Sequence, residues 1–149
     1  MNANYFEVKV KYVAVGDDGK EKKVSELYLI DGMSFTEVET RIVEKLREMI
    51  HGDFNIEAIK KSNITELVES KDGNDDKWFK AKVAIIDADS ISGKEKRSNQ
   101  YFLVAGDNVD KALENLQKSL STYVVPFEIV QVGDSNIMDV FPYFEDKQE

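Results

Sequence analysis

The feature of this sequence that most constrains its fold is an internal repeat at an offset of 73 or 74 residues. Short segments of the first half recur in the second half, in the same order and at nearly constant spacing. They are Tyr5-Phe6 with Trp78-Phe79, Gly19-Lys20-Glu21-Lys22-Lys23 with Gly93-Lys94-Glu95-Lys96-Arg97, Leu27-Tyr28-Leu29-Ile30 with Tyr101-Phe102-Leu103-Val104, Gly32 with Gly106, Phe54 and Ile56 with Phe127 and Ile129, and Ser62-Asn63-Ile64 with Ser135-Asn136-Ile137. A conserved order of this kind indicates duplication of one structural unit.

The first copy begins with two strands and the start of a helix. Residues 5–14 alternate between apolar and polar side chains, which is the period of a half-buried strand. A polar turn at 16–19 returns the chain into a second strand at 22–30, so a hairpin is predicted. Ser34, with Glu37 three residues later, forms the capping-box pattern that starts a helix.

The helix and the strands after it follow from spacing in the same way. Apolar residues at helical spacing predict one buried helix face, formed by Phe35, Val38, Ile42 and Leu46. Gly52 is expected to end this helix, and two shorter strands are predicted at 54–60 and 63–69. The second copy repeats the pattern, with strands predicted at 78–87, 95–104, 127–132 and 136–142 and a helix at 108–122 that Asn108 caps.

The sequence therefore predicts an α+β fold, a tandem duplication of a ββαββ unit with a mainly antiparallel sheet and two helices. A length of 149 residues is sufficient to bury a core in one domain. We expect a single domain over 1–149, made of pseudo-repeats 1–70 and 77–144. The linker at 71–76 and a short acidic C-terminal tail are expected to be exposed.

Three segments of the chain carry a resemblance to a known family. They are Tyr5-Phe6-Glu7-Val8-Lys9-Val10-Lys11-Tyr12, Ser34-Phe35-Thr36-Glu37-Val38-Glu39 and Ile137-Met138-Asp139-Val140-Phe141-Pro142-Tyr143. Over nearly its whole length the chain is similar to an uncharacterised domain-of-unknown-function family of Bacteroidetes and their phages, marked by a Ser-Phe-Thr-Glu-Ala-Glu motif. Val38 stands where that motif has alanine. The resemblance supplies no catalytic residues, and it implies an intracellular setting in a bacterium or phage.

Residue types in the chain exclude several classes of enzyme. Without cysteine there is no thiolate nucleophile or cysteine-ligated metal, and His51 is the only histidine, so one chain cannot form a multi-histidine metal site. Asp72, Asp75 and Asp76 in the linker resemble a calcium loop only loosely, and a solvated loop is favoured because the required glycine and terminal glutamate are absent. We predict a protein that is not an enzyme and has no metal or cofactor.

Localisation is predicted from the absence of targeting signals. The N-terminus lacks the features of a signal peptide, and no stretch approaches the roughly 18 apolar residues of a transmembrane helix. We therefore expect a cytoplasmic protein of a bacterial host cell that does not bind a membrane.

The position of the basic residues is more informative than the net charge of −9. Many lysines fall on the predicted strands and hairpins, whereas the helices and loops hold much of the acidic charge. Duplication gives two related patches that each combine an aromatic ring, lysines and a basic hairpin. The candidate nucleic-acid or nucleotide-binding residues are Tyr5, Lys9, Lys11, Lys22, Lys23, Trp78, Lys80, Lys82, Lys96 and Arg97.

Two interpretations of these patches stand side by side. Cations for phosphates and flat rings for bases are what a surface for single-stranded nucleic acid requires. Alternating lysine and glutamate also occur on sheets that need only to be soluble and to resist edge-to-edge association. Tyr5 and Trp78 are equally compatible with a place at the edge of a core or in a dimer interface. The prediction chosen is a non-enzymatic accessory protein that binds single-stranded nucleic acid.

Two other functions remain open from the sequence. The lysines and rings would also suit a phage protein that sequesters a small nucleotide as an anti-defence measure. The ending Val140-Phe141-Pro142-Tyr143-Phe144 would suit a protein–protein adaptor, although the last strand of the fold explains Val140 and Phe141 more simply. Edge strands in each repeat are also compatible with a homodimer formed by sheet extension, and the sequence does not fix the oligomeric state.

Overall fold

The computed structural model describes residues 4–142. Each repeat contributes four strands and one helix in the predicted order. The first repeat forms β1 (Asn4–Val15), β2 (Glu21–Gly32), α1 (Phe35–Met49), β3 (Phe54–Lys61) and β4 (Ile64–Val68). The second forms β5 (Lys77–Ala88), β6 (Glu95–Gly106), α2 (Val109–Leu120), β7 (Phe127–Asp134) and β8 (Ile137–Phe141). These elements confirm the predicted α+β class and the duplicated ββαββ pattern.

The strands form two four-stranded sheets in which the repeats exchange their last strands. One sheet has the order β3-β1-β2-β8 and the other the order β4-β6-β5-β7. The exchanged strands pair in parallel, β8 with β2 and β4 with β6, whereas the other pairings are antiparallel. Each sheet thus contains three strands of one repeat and one strand of the other.

This exchange sets the boundaries of the compact units. Among the described residues, one unit holds 4–62 and 136–142, and the other holds Asn63–Ser135. The chain therefore passes from one unit to the other beside the Ser62-Asn63 and Ser135-Asn136 pairs of the repeat. These unit boundaries differ from those of the sequence repeats, 1–70 and 77–144. The difference arises because the last strand of each repeat joins the sheet of the other repeat. The single-domain organisation stays a prediction.

Each unit has a core between one face of its sheet and its helix. In the first unit the core joins alternate residues of β1 and β2 to one face of α1, together with Phe141 of β8. The buried members are Phe6, Val8, Val10, Tyr28, Ile30, Val38, Ile42, Leu46 and Phe141. The core of the second unit is built alike and includes Val68 of β4; its buried members are Val68, Phe79, Ala81, Val83, Phe102, Val104, Ala112, Leu116 and Leu120. Full burial of a valine, leucine, isoleucine or phenylalanine side chain stabilises a fold by about 1.5–3 kcal/mol.

Side-chain caps start both helices where the sequence predicts them. The Ser34 hydroxyl oxygen accepts a hydrogen bond from the Glu37 amide at 3.1 Å, and the Asn108 side chain accepts one from the Lys111 amide at 2.8 Å. The prediction that Gly52 ends the first helix was wrong by a few residues, because α1 ends at Met49. Gly52 has a φ of 117° and lies in the turn that follows. Neither helix within residues 4–142 has the length and hydrophobicity that crossing a bilayer requires.

A buried arginine fastens the exchanged strand of the first unit. Arg41 on α1 donates to the carbonyl of Asp31 at the end of β2, forms a 2.8 Å ion pair with the Asp31 carboxylate, and donates to the Phe141 carbonyl on β8 at 3.4 Å. The side chains of Arg41 and Asp31 are only 12% and 4% exposed. In the second unit Asn115 of α2 occupies the equivalent position and donates to the Ala105 carbonyl at 2.8 Å.

Asn115 also holds the segment between the repeats. Its amide donates at 3.0 Å to Oδ2 of Asp75, and the Ser70 hydroxyl donates to the same oxygen at 2.5 Å. The hydrogen bond from Ser70 is the main reason that the pKa of Asp75 is lowered, and that from Asn115 adds to it. The predicted exposed linker is therefore exposed over most of its length but is anchored to α2 through Asp75.

One of the glycines that the two repeats share, Gly32 in the first and Gly106 in the second, lies where the second strand meets the helix. A Cβ atom added to Gly106, at the end of β6, would lie 2.8 Å from the backbone nitrogen of Ala112 and 3.0 Å from its Cα. Backbone of a helix cannot move aside as a side-chain tip can, so α2 would have to shift. A Cβ atom added to Gly133, on β7, would have no heavy atom within 4 Å.

We expect the Gly106→Ala substitution to destabilise the protein by about 1–3 kcal/mol, because the added methyl group overpacks the strand–helix contact. Gly133→Ala is the matched control and should change the free energy of unfolding by less than about 0.5 kcal/mol. Urea denaturation followed by circular dichroism measures both. Equal stabilities for the two variants would contradict the close contact between β6 and α2.

We expect Arg41→Met to destabilise the protein by about 3 kcal/mol, because it removes the guanidinium from a buried carboxylate. The exposed Arg47→Met on the same helix is the control and should have little effect. Asp31→Ala combined with Arg41→Met should recover much of the loss, since the second repeat has Ala105 at this place. Denaturation midpoints of the three variants test this, and a double variant less stable than Arg41→Met would contradict it.

Candidate nucleic-acid interface

The predicted strand residues lie on the sheet faces that are opposite the helices. On β1, Phe6, Val8 and Val10 point into the core, so the alternating Lys9 and Lys11 lie on the other face. On β5 the core residues are Phe79, Ala81 and Val83, and the alternating Trp78, Lys80 and Lys82 lie on the other face. The structure thus places the strand residues of each predicted patch on one face of one sheet.

In the first unit this face is balanced by acids. Glu57 of β3 contacts both Lys9 and Lys11, with N–O distances of 3.9 and 3.1 Å. Lys60 of β3 lies 3.8 Å from Glu7 of β1. The three lysines are exposed, but they share two glutamates on neighbouring strands, so this face offers little net positive charge to a phosphate.

A cavity beside Lys9 has the same balance. It has a volume of about 510 Å³ and is lined by Lys9, Ser25, Glu26, Leu27 and Asn136. One lysine and one glutamate line it, so it shows no preference for an anion.

The equivalent face of the second unit is more cationic. The Nζ atom of Lys80 lies 5.7 Å from the centroid of the Tyr101 ring, within the range of a cation–π contact. Lys82 pairs in register with Tyr101 across β5 and β6, which brings both lysines to one ring. Among the described residues neither lysine forms an ion pair. Arg97 is on the same face and lies 2.8 Å from Glu128.

The difference between the faces comes from positions that diverged after duplication. By strand register, Glu7 of the first unit corresponds to Lys80, and Leu27 corresponds to Tyr101. Tyr101 is the site residue that the sequence predictions missed. Its signal was present in the repeat alignment, since an aromatic ring replaces leucine beside two lysines.

The two rings predicted to stack on bases are half-buried. The carbonyl of Trp78 accepts a 2.7 Å hydrogen bond from the Ser135 hydroxyl, and the carbonyl of Tyr5 accepts one of 2.9 Å from the Ser62 amide. Both rings are therefore on firmly held backbone. Ala84 and Leu103 on the same face as Trp78 are fully buried, so the accessible part of that face centres on Lys80, Lys82 and Tyr101.

The remaining predicted lysines lie on hairpins that extend beyond their sheets. β3 pairs with β1 only as far as Tyr12, so the hairpin from 13 to 23 continues as a two-stranded ribbon carrying Lys22 and Lys23. The ribbon of the second unit carries Lys96 and Arg97. Lys22, Lys23 and Lys96 are exposed and form no ion pair within residues 4–142.

Of the C-terminal residues that suggested an adaptor, two lie on β8 and the others follow its end. Phe141 is in the core, where its ring stacks on Tyr28 at a centroid distance of 5.4 Å, and Val140 is also buried. These two residues confirm the interpretation as a last strand. Tyr143 and Phe144 lie outside the described residues.

Two sheets, each backed by one helix and completed by a strand of the other repeat, define a duplicated α+β protein. The chain belongs to the DUF4494 family, a domain of unknown function, which matches residues 4–143. No curated protein and no solved structure matches the chain. The family match confirms the resemblance to an uncharacterised domain family, and the origin in Bacteroidetes and their phages stays a prediction.

Proposed function

We propose that this protein is a non-enzymatic accessory protein that binds single-stranded nucleic acid through the sheet face of its second unit. Its central contacts are Lys80, Lys82 and Tyr101, with Trp78 and Arg97 on the same face. The observation that carries the proposal is the grouping of Lys80 and Lys82 around the Tyr101 ring without a neighbouring carboxylate partner among the described residues.

The chemistry of this group matches a single strand in two ways. Lysine ammonium groups bind phosphates, and an aromatic ring stacks on a base, which contributes roughly 1–3 kcal/mol for each base. The accessible group is compact, because Ala84, the next residue of β5 on this face, is fully buried. Lys80 and Lys82 are about 7 Å apart at ~3.3 Å per residue. The two lysines and the ring therefore suit a short stretch of a single strand.

The exposed lysines of the two ribbons supply further phosphate contacts. A two-stranded ribbon places its side chains away from the bulk of the acidic surface, which lowers the repulsion that a net charge of −9 imposes on a polyanion. Acids on the same ribbons, among them Asp87 and Glu95, limit this contribution. We therefore place the principal contacts on the sheet face and expect binding to be strongest at low salt.

We also propose the setting in which this binding takes place. The family resemblance favours a bacterium of the Bacteroidetes or one of its phages, and the absence of cysteine is compatible with a reducing cytoplasm. Single-stranded DNA and RNA are both abundant there during replication and transcription.

The first experiment measures binding of a fluorescein-labelled oligothymidylate by anisotropy at low salt. Replacing Lys80 and Lys82 by alanine should weaken binding roughly tenfold and make the slope of log K against log salt shallower by about 1.4, since two phosphate contacts are lost. Lys9→Ala with Lys11→Ala is the matched control from the first unit and should have a smaller effect, because both lysines already form ion pairs with Glu57. Equal losses in both double variants, or no binding by the native protein, would overturn the proposal.

The second experiment uses Trp78, the single tryptophan of the chain, as a reporter. Oligonucleotide binding on this face should quench its fluorescence, and Tyr101→Leu, which restores the residue of the first unit, should weaken binding without abolishing it. If free mononucleotides at equal phosphate concentration quench as strongly as oligonucleotides, the protein binds a small nucleotide instead of a strand.

A further inference from the structure

The first unit contains a second cavity with a very different lining. It has a volume of about 310 Å³ and lies at the C-terminal end of α1, beside β2 and the start of β8. It is lined by Tyr12, Glu26, Tyr28, Met49, Ile50, Met138 and Asp139. No basic side chain is among the lining residues, whereas two carboxylates, two phenols and two methionines are.

The two phenols are arranged around one carboxylate. The Tyr28 hydroxyl donates to Oε1 of Glu26 at 3.2 Å. Burial is the largest cause of the raised pKa of Tyr28, and the charge of Glu26 adds to it. A hydrogen bond to Glu26 is the largest cause of the raised pKa of Tyr12. Both phenols therefore keep their protons and hold the Glu26 carboxylate in place.

The fold itself does not require this arrangement. By strand register the second unit has Ile85, Gln100 and Phe102 where the first unit has Tyr12, Glu26 and Tyr28. The second unit forms the same sheet and helix without these two phenols and without a carboxylate at the position of Glu26, although Glu66 stands at the position of Asp139. Tyr12, Glu26 and Tyr28 are thus separable from the packing of the fold.

The walls of the cavity are suited to an apolar stem. The side chains of Met49 and Met138 are 48% and 59% exposed although they are large and hydrophobic. Methionine is flexible and polarisable, and it adapts to ligands of varied shape. Carboxylates and the faces of phenol rings both attract a cation.

We propose that this cavity binds an organic cation, namely an ammonium or guanidinium group on an apolar stem of a few carbons. Glu26 and Asp139 attract the charged head, while Met49, Ile50 and Met138 contact the stem. The head can belong to a free amine or to a lysine or arginine side chain of a partner polypeptide. This ligand is opposite in charge to a phosphate, so the site is independent of the nucleic-acid surface.

Methyl NMR on protein labelled at the methionine methyl carbons tests the proposal directly. The chain has four methionines, of which Met49 and Met138 line the cavity and Met33 is exposed elsewhere. Butylguanidinium should shift the Met49 and Met138 signals and leave that of Met33 unchanged. The uncharged butylurea, which has nearly the same shape, should bind at least roughly tenfold more weakly, since it lacks the charge-assisted hydrogen bond.

Matched variants identify the group that binds the charged head. Glu26→Gln, which introduces the residue found at Gln100, should fold normally and lose at least roughly tenfold in affinity. Glu48→Gln removes the same charge from the exposed surface of α1 and should retain the affinity of the native protein. Equal binding of butylurea and butylguanidinium, or full binding by Glu26→Gln, would overturn the proposal.

The source of the cation is resolved by a second titration. An acetylated pentapeptide with one central arginine is compared with butylguanidinium on the same methyl signals. If the peptide shifts the Met49 and Met138 signals with higher affinity than the free cation does, the cation belongs to a partner polypeptide. Comparable or weaker binding of the peptide supports a free amine, and a peptide with citrulline in place of arginine should bind in neither case.

Discussion

Parallel pairing of the exchanged strands is the interaction on which the rest of this structure depends. β8 pairs with β2 and β4 pairs with β6, so the last strand of each repeat covers the open edge of a strand in the other. Phe141 of the second repeat then completes the core formed by the first repeat, and Val68 of the first repeat completes the core formed by the second. A repeat alone would leave that edge unpaired and its core short of one large side chain. The two halves are therefore interdependent in folding, although each sheet has its own helix.

The helices anchor the ends of their sheet strands by different chemistry in the two units. Arg41 joins the end of β2 to the end of β8 with a buried charge, whereas Asn115 reaches the end of β6 and the linker carboxylate of Asp75 with a neutral amide. Both solutions satisfy a strand-end carbonyl beside the helix. A buried ion pair requires both partners, so Arg41 and Asp31 are expected to change together. The neutral solution tolerates the alanine that the second repeat has at the position of Asp31.

Duplication left the backbone alike and allowed the surfaces to diverge. On the faces opposite the helices, glutamates balance the lysines of the first unit, while the second unit gathers Lys80 and Lys82 around Tyr101. On the helix side of the first unit, a cavity contains Glu26 beside the phenols of Tyr12 and Tyr28, and the second unit has Gln100 at the position of Glu26. We propose that an anion binds to the sheet face of the second unit and an organic cation in the cavity of the first. Two copies of one fold would in this way carry two opposite binding chemistries.

The sequence alone determined the elements and their faces, because a strand or helix is written in local periodicity and in caps such as Ser34 and Asn108. Most predicted boundaries lie within a few residues of those observed, and Gly52 misled only because a glycine can occupy the turn after a helix as well as its end. Tertiary structure alone decided which strands are neighbours, since a period of two assigns β8 a buried face without naming β2 as its partner. It also decided which lysines are paired with carboxylates and which are available to a ligand. From the sequence alone Lys9 and Lys11 are candidate binding residues, but β3 brings Glu57, at the irregularity in its pairing with β1, within ion-pair distance of both. The net charge of a patch therefore depends on a strand that is distant in sequence.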